Sequence, residues 1–237
     1  MSKTNTHILV TGASRGIGKA IVDSLDPDRV TVVGQSTTGG DGRIAADFSE
    51  DGAASHLWQQ ALDRLDGRID VLINNAGLFE PNPVTSDDWL ESWNRTMTIN
   101  LTASAELCRL AVLHYQQRET SGRIINIASR AAYRGDSPDH WHYAASKAGM
   151  VAMTKTIARA YAKDEILAFA ICPGFTMTGM AEEYLESRGG DKLLADIPLG
   201  RVAQPEEIAE IARWCALDAP PSMTGAVLDA NGASFVR

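Results

Sequence analysis

Tyr143 and Lys147 stand four residues apart at the head of an apolar-periodic stretch. On a helix that spacing puts the phenol and the ammonium on one face, a turn apart. An ammonium held near a phenol favours the phenolate and draws its pKa down from about 10, as proton transfer near neutral pH requires. Ser129 closes a short apolar run upstream and points toward the same place, where its hydroxyl could hold a substrate oxygen. Asn100 lies inside a long helical stretch. Asparagine is a poor helix former, so it marks a kink or a water site.

A second group of residues has the chemistry of an anion cradle. Thr11-Gly12-Ala13-Ser14-Arg15-Gly16-Ile17-Gly18 follows the first apolar run and opens the first helical stretch. Gly12 allows the tight turn, Gly16 lets a pyrophosphate approach the backbone, and Gly18 permits close helix packing, while free N–H groups at the helix start face the anion. Asn74-Asn75-Ala76-Gly77 ends the fourth run, where a doubly wound sheet opens its ligand crevice. Asp47-Phe48, after the third run, either sets a carboxylate and a ring beside an adenine or simply starts a helix. His140 and His142 have no carboxylate or cysteine partners at ligand spacing, so no metal is expected. Cys108, Cys172 and Cys215 are odd in number, far apart and in apolar surroundings, which reads as reduced core thiols of a cytoplasmic protein.

These residues must be carried by a sheet. Short β-branched runs alternate with helix-period segments along the whole chain, predicting strands over 7–10, 30–33, 43–45, 69–74, 123–127, 167–172 and 226–229. Helices are expected over 16–24, 51–65, 87–114, 143–162, 178–194 and 205–217. The expectation is an α/β fold: a Rossmann-like, doubly wound, seven-stranded parallel sheet with helices on both faces. No repeat or linker divides the 237 residues, so one domain over 1–237 is expected. Gln35 to Gly42 is too short for a crossover helix, and a glycine-rich loop should replace it.

The net charge of −8 has the wrong sign for a nucleic-acid partner. The apolar runs are far shorter than a membrane span, and the polar N-terminus has no secretory pattern.

Taken in order, the glycine turn, Asn74-Asn75-Ala76-Gly77, Asn100, Ser129, Tyr143-x-x-x-Lys147 and Pro173-Gly174 resemble the short-chain dehydrogenase/reductase family in its compact form, over the whole chain. Within it the general resemblance is to 3-oxoacyl-carrier-protein reductases. The resemblance implies an oxidoreductase that moves a hydride between a nicotinamide dinucleotide and a carbonyl or alcohol. Tyr143 would be the acid/base and Lys147 would hold the nicotinamide ribose and tune Tyr143. Ser129 would orient the carbonyl and Asn100 would anchor a relay water. Asp47 would touch adenine, Asn74 to Gly77 would line the adenosine side, and Pro173, Gly174, Thr176 and Thr178 would meet the carboxamide. Two departures stand out: the short loop 35–42, and a Ser129 to Tyr143 interval one residue longer than is common.

The end of the second strand, Gly34-Gln35-Ser36, has no acid for ribose hydroxyls. Arg15 can reach a 2′-phosphate, with Gln35, Ser36 and Thr37 as neutral donors, so NADP(H) is the expected cofactor, with NAD(H) as the alternative through Asp41. A substrate lid is implied over 177–201, hinged at Gly179, Gly189 and Gly190, and Tyr133, Arg134, His140, Trp141 and His142 should border the pocket mouth. Lys163-Asp164-Glu165 and the negative charge disfavour an acidic carrier, which points to a small carbonyl or alcohol. A carrier-linked substrate and a non-catalytic dinucleotide sensor are the alternatives. The resemblance and the apolar faces of the long helices imply a homo-oligomer, tetramer or dimer.

Overall fold

Seven short strands pair in parallel into one sheet and, numbered along the chain, lie in the order 3-2-1-4-5-6-7. The structure is a computed structural model that describes residues 5–178 and 194–237. The strands are β1 (Thr6–Val10), β2 (Val30–Ser36), β3 (Ile44–Ala45), β4 (Val71–Asn74), β5 (Gly122–Ile127), β6 (Ile166–Pro173) and β7 (Val227–Ala230). Every residue of β4 and β6 is buried. Alternation within strands then sorts side chains between two layers. Leu9, Leu72, Ile124 and Ala168 face one layer and Ile8, Ile73, Ile125 and Phe169 the other.

The first layer is covered by α2 (Ala53–Arg64), α4 (Ala103–Arg118) and α6 (Trp141–Tyr161), through Leu57, Trp58, Leu107, Tyr115 and Ile157. The second is covered by α1 (Gly16–Asp23) and α7 (Pro205–Leu217), through Ile21, Ile208, Ala212 and Cys215. Pro205 at the first turn and a reciprocal Gln204/Glu207 capping box start α7 where the proline and paired acids predict it. No helix among the described residues is long and apolar enough to cross a membrane.

The sequence reading and the structure differ in three places. The helix expected over 87–114 is broken into α3 (Trp89–Met97), a π-helical turn over Thr98–Thr102, and α4. The wider turn carries Asn100 inward, where it is fully buried. A short helix, α5 (Ala131–Arg134), follows β5, and α6 begins two residues before Tyr143. The helix expected over 178–194 and most of the expected lid lie outside the described residues. As expected, no helix joins β2 to β3. Gly39, Gly40, Asp41 and Gly42 instead turn the chain with φ of +71°, +85°, +48° and +79°.

Gly122 shows how tightly the first layer is packed. A Cβ there would stand 2.3–2.5 Å from ring atoms of the fully buried Tyr115. Gly122→Ala should lower stability by about 1–3 kcal/mol through overpacking. Urea unfolding should show a lower midpoint with an unchanged slope.

Candidate active site

The glycine turn is built backbone against backbone. A Cβ on Gly12 would come 2.8 Å from the Cα of Ala76, and one on Gly18 would come 2.1 Å from the carbonyl oxygen of Gly12. Gly16 has φ +52°, and a Cβ on it would stand 2.9 Å from Cγ2 of Thr178, which lies across the turn. No side chain caps α1 and no acid stands in its first turn. Its leading N–H groups are therefore left for an anion. Ser14 and Arg15 are exposed beside them, and Ile17 packs down on the second layer. The pyrophosphate of a nicotinamide dinucleotide fits this cradle, whose helix-start N–H groups have no side-chain cap and no acid beside them.

Three polar residues, Thr11, Asn75 and Gln35, hold the cradle in place through the hydrogen bonds they make to its backbone. The backbone N–H groups of Asn75 and Ala76 both donate to the Thr11 hydroxyl at 3.0 Å. The Asn75 amide donates to the carbonyls of Thr11 and Gly12. Gln35 accepts from Gly12 N at 2.8 Å and donates to the Ala46 carbonyl at 2.7 Å. That corrects its expected role: its amide is engaged at both ends and 2% exposed, so it is a strut rather than a phosphate donor. Ser36 likewise donates its hydroxyl to Gly39. The sequence signal, a polar residue at the end of an apolar strand, is the same for strut and ligand.

At the other residues of this end, depth separates side chain from backbone. The Phe48 ring is buried in the first layer, so it has no face to offer a base. Asp47 accepts from the N–H and hydroxyl of Ser49, which lower its pKa. Asn74 is fully buried and donates to Asn126 Oδ1 at 2.9 Å and to Cys108 Sγ at 3.3 Å. Only its backbone reaches the crevice edge, ahead of Ala76 and Gly77.

Tyr143, Lys147, Ser129 and Asn100 converge at the C-terminal edge of β4 and β5. The Ser129 hydroxyl stands near enough to the Tyr143 phenol to lower its pKa. Lys147 is 4% exposed, donates to the Ile127 carbonyl at 2.9 Å, and its Nζ lies 5.8 Å from the Tyr143 ring centroid. Asn100 clamps the chain after Gly77, accepting from Leu78 N at 2.6 Å and donating to Leu78 O at 2.9 Å and to Ser146 Oγ at 3.2 Å. Its own carbonyl accepts from the Ser104 hydroxyl at 3.2 Å. A Cβ on Gly77 would lie 3.4 Å from Lys147 Nζ and 3.5 Å from Asn100 Oδ1, so the floor of the crevice is bare backbone.

The electrostatics depart from the expectation in one respect. Burial pushes the Tyr143 phenol up to about 12, against the Ser129 hydroxyl, which lowers it. The lowering expected from Lys147 does not dominate, because the ammonium is turned to the Ile127 carbonyl. Burial also lowers the Lys147 ammonium to about 8. Cys108, Cys172 and Cys215 are buried free thiols raised by burial to about 12, 11 and 12, which makes them poor nucleophiles.

Around the mouth, Phe79 stacks on His140 at 4.0 Å between centroids and meets Tyr143 edge-on at 4.8 Å. Trp141 is exposed on the first turn of α6, while His142 is buried. Tyr133 and Arg134 turn to the C-terminal segment instead, where Tyr133 stacks on Phe235 and Arg134 donates to Asp196 and Ser234. On the far side of the crevice, Arg130 N donates to Pro173 O, Gly174 N to Ala230 O, and the Thr176 hydroxyl to Gly174 O.

Comparison with known proteins agrees with this arrangement. A family profile described as enoyl-(acyl carrier protein) reductase matches residues 12–232. The 3-oxoacyl-(acyl-carrier-protein) reductase of Synechocystis sp. is 37% identical, covering 94% of each chain. That of Vibrio harveyi is 33% identical over 96% of each. The acetoacetyl-CoA reductase of Shinella zoogloeoides is 33% identical over 96% of this chain and 97% of its own.

The direction of the Lys147 shift has a measurable sign. Between about 8 and the ordinary 10.5, the unfolded chain holds a proton that the folded one has lost. In that window the stability contributed by this residue rises with pH. The parent should therefore gain stability relative to Lys147→Met as pH climbs from 8 toward 10.5, measured as the difference in unfolding free energy between the two proteins. A pH-independent difference would contradict the buried ammonium.

Proposed function

This chain belongs to the short-chain dehydrogenase/reductase family of oxidoreductases, and on that premise we propose that it reduces a small, free carbonyl compound, or oxidises the matching alcohol, with NADP(H) as the preferred cofactor. The observation that carries this reading is the Ser129–Tyr143 hydroxyl pair beside the buried ammonium of Lys147. Two hydroxyls side by side can both donate to one carbonyl oxygen, which polarises it. A bound nicotinamide dinucleotide supplies the hydride. As charge develops on the oxygen, Tyr143 gives up its phenolic proton, and the Lys147 ammonium favours the phenolate left behind. Ser129 keeps the oxygen in register. Asn100 holds Leu78 and Ser146 in place beneath the reacting groups and anchors a relay water. In the oxidative direction Tyr143 takes the proton back.

In this reading Gly12, Ser14, Arg15, Gly16, Ile17 and Gly18 hold the pyrophosphate, and Asp47 with the backbone of Phe48 meets the adenine. Asn74, Ala76 and Gly77 line the adenosine through their backbone. Tyr143 and Lys147 hold the nicotinamide ribose, and Pro173, Gly174, Thr176 and Thr178 meet the carboxamide. The preference for the phosphorylated cofactor is supported by the acid-free end of β2 and the exposed Arg15.

The small substrate is supported by the pairing of surface arginines with acids. Arg95 is paired with Glu80, Arg130 and Arg134 with Asp196, and Arg201 with Glu207. With a net charge of −8, a surface so neutralised is poorly suited to an acidic carrier. A carrier- or coenzyme-linked acyl substrate is the second reading, favoured by the names of the relatives. Three buried free thiols support a cytoplasmic protein. A symmetric tetramer or dimer belongs to the same proposal. The outer sides of α4 and α6 leave Leu113, Ala152 and Ala160 exposed among polar residues, positions that a second copy would cover.

Two measurements test the proposal. In a screen of ketones, aldehydes and acyl thioesters followed by nicotinamide absorbance, free carbonyls should be turned over, and Tyr143→Phe should lose about 10² to 10⁴ of that rate while still binding cofactor. Turnover of carrier-linked substrates alone would select the second reading, and near-parental turnover by Tyr143→Phe would remove Tyr143 as the acid. Light scattering at micromolar concentration should give a mass of two or four chains. A stable single chain would rule out the oligomer.

A further inference from the structure

The loop that joins β2 to β3 in place of a helix carries an arginine the site has not yet used. Arg43 follows Gly39, Gly40, Asp41 and Gly42, all with positive φ. Its backbone N–H donates to Gly40 O at 2.9 Å, and Arg64 donates to Gly42 O at 2.7 Å, so the turn is closed on itself. The path throws the Arg43 side chain back across the end of β2. A Cβ on Gly34 would meet Arg43 Cγ at 3.2 Å and Ala13 Cβ at 2.9 Å. The arginine stem and the glycine turn therefore lie on the same side of β2, and Gly34 is bare because both need the space. Gly34 itself pairs with Val10, the last residue of β1 before the turn.

The guanidinium is incompletely satisfied. Nη2 donates to Asp41 Oδ2 at 2.8 Å, and Nε is buried with no hydrogen-bond partner. A buried donor without an acceptor is costly, which makes the site better suited to a ligand with several oxygens than to one carboxylate oxygen. Asp41 is the opposite case. Its side chain is 86% exposed, against 22% for Arg43, and it sits in the left-handed region, which aspartate tolerates better than most residues. It is a weakly held, displaceable anion.

Resting on the preference for NADP(H) proposed above, we infer that Arg43 is the residue that reads the 2′-phosphate of the cofactor, and that Asp41 is a stand-in anion which keeps its guanidinium in place until the phosphate displaces it. Phosphate presents three acceptor oxygens and up to two charges to a guanidinium of whose five N–H groups one is engaged, by Asp41. Arg15, the exposed residue just ahead of α1, adds charge at the glycine turn. The same pair gives the alternative cofactor a weaker hold, since Asp41 remains on Arg43 when no phosphate arrives.

Binding to the cofactor-free protein tests this without turnover, by calorimetric titration with adenosine 2′,5′-bisphosphate and with adenosine 5′-monophosphate. The parent should bind the bisphosphate more tightly. Arg43→Gln should weaken the bisphosphate by about 10- to 100-fold, as for loss of hydrogen bonds to a charged group, and leave the monophosphate within about twofold. Asp41→Asn should tighten the bisphosphate several-fold, because its competitor is gone. An unchanged bisphosphate affinity in Arg43→Gln overturns the inference, as does an equal loss for both ligands, which would show a damaged loop. If Arg15→Ala abolishes the preference while Arg43→Gln keeps it, the cofactor reading stands and the role of Arg43 falls. Equal affinities in the parent would remove both.

Discussion

The crevice depends on a seam. Between β1 and β4 the order of strands reverses, so the chain leaves β1 toward one layer of helices and β4 toward the other, and the two strand ends part. Thr11 and Asn75 close that gap at its base with four hydrogen bonds, two into the Thr11 hydroxyl and two from the Asn75 amide. Without the hydroxyl, two backbone N–H groups would be left unpaired in a part-buried place, at about 1–3 kcal/mol each. The cradle on one side and the backbone floor at Gly77 on the other are both anchored to this bolt, which fixes how far a long ligand must reach from one to the other.

A second buried chain sets where the reacting groups stand above that floor. Asn74 donates to Asn126, Asn126 to Thr154, and Thr154 to the Met150 carbonyl, linking β4 and β5 to the middle of α6. Met150 lies one turn from Lys147, so the register of α6 on the sheet, and with it the height of Lys147 and Tyr143, is fixed by side chains that never touch the crevice. A buried polar chain specifies one arrangement where an apolar contact would tolerate sliding. The buried ammonium needs that restraint, since its partners are one carbonyl, of Ile127, and the weak thioether acceptor of Met150.

What the sequence made legible follows from these constraints. Parallel strands buried on both faces read as apolar runs, so the sheet and the residues at its carboxyl edge could be placed from the pattern alone. Tyr143 and Lys147 were legible because one helix carries both. Gln35, Phe48 and Arg43 were not. Each lies where side chain and crevice are separated only by depth or by the path of a turn. Gln35 is a strut because Ala46 happens to pass within reach, and Phe48 is core because α2 lies over it. Arg43 falls beside the glycine turn only because four successive residues take positive φ. The break at Thr98–Thr102 was signalled by Asn100 alone, and an asparagine announces a disturbed helix without saying that it widens.

The two-residue length of β3 has a consequence for how ligand and stability are linked. It pairs with β2 through only Gln35↔Ile44 and Ser36↔Ala45, and it forms the edge of the sheet, while β5 and β6 pair over six residues in the centre. Local opening is easiest where few contacts must be broken, so this corner is the first cooperative unit to fray and the central strands the last. A nucleotide that spans the crevice touches both. It therefore acts as a clasp that lends the margin part of the rigidity of the middle, and protection from hydrogen exchange at Ile44 and Ala45 becomes a local gauge of occupancy, read where the chain itself is least able to stay closed.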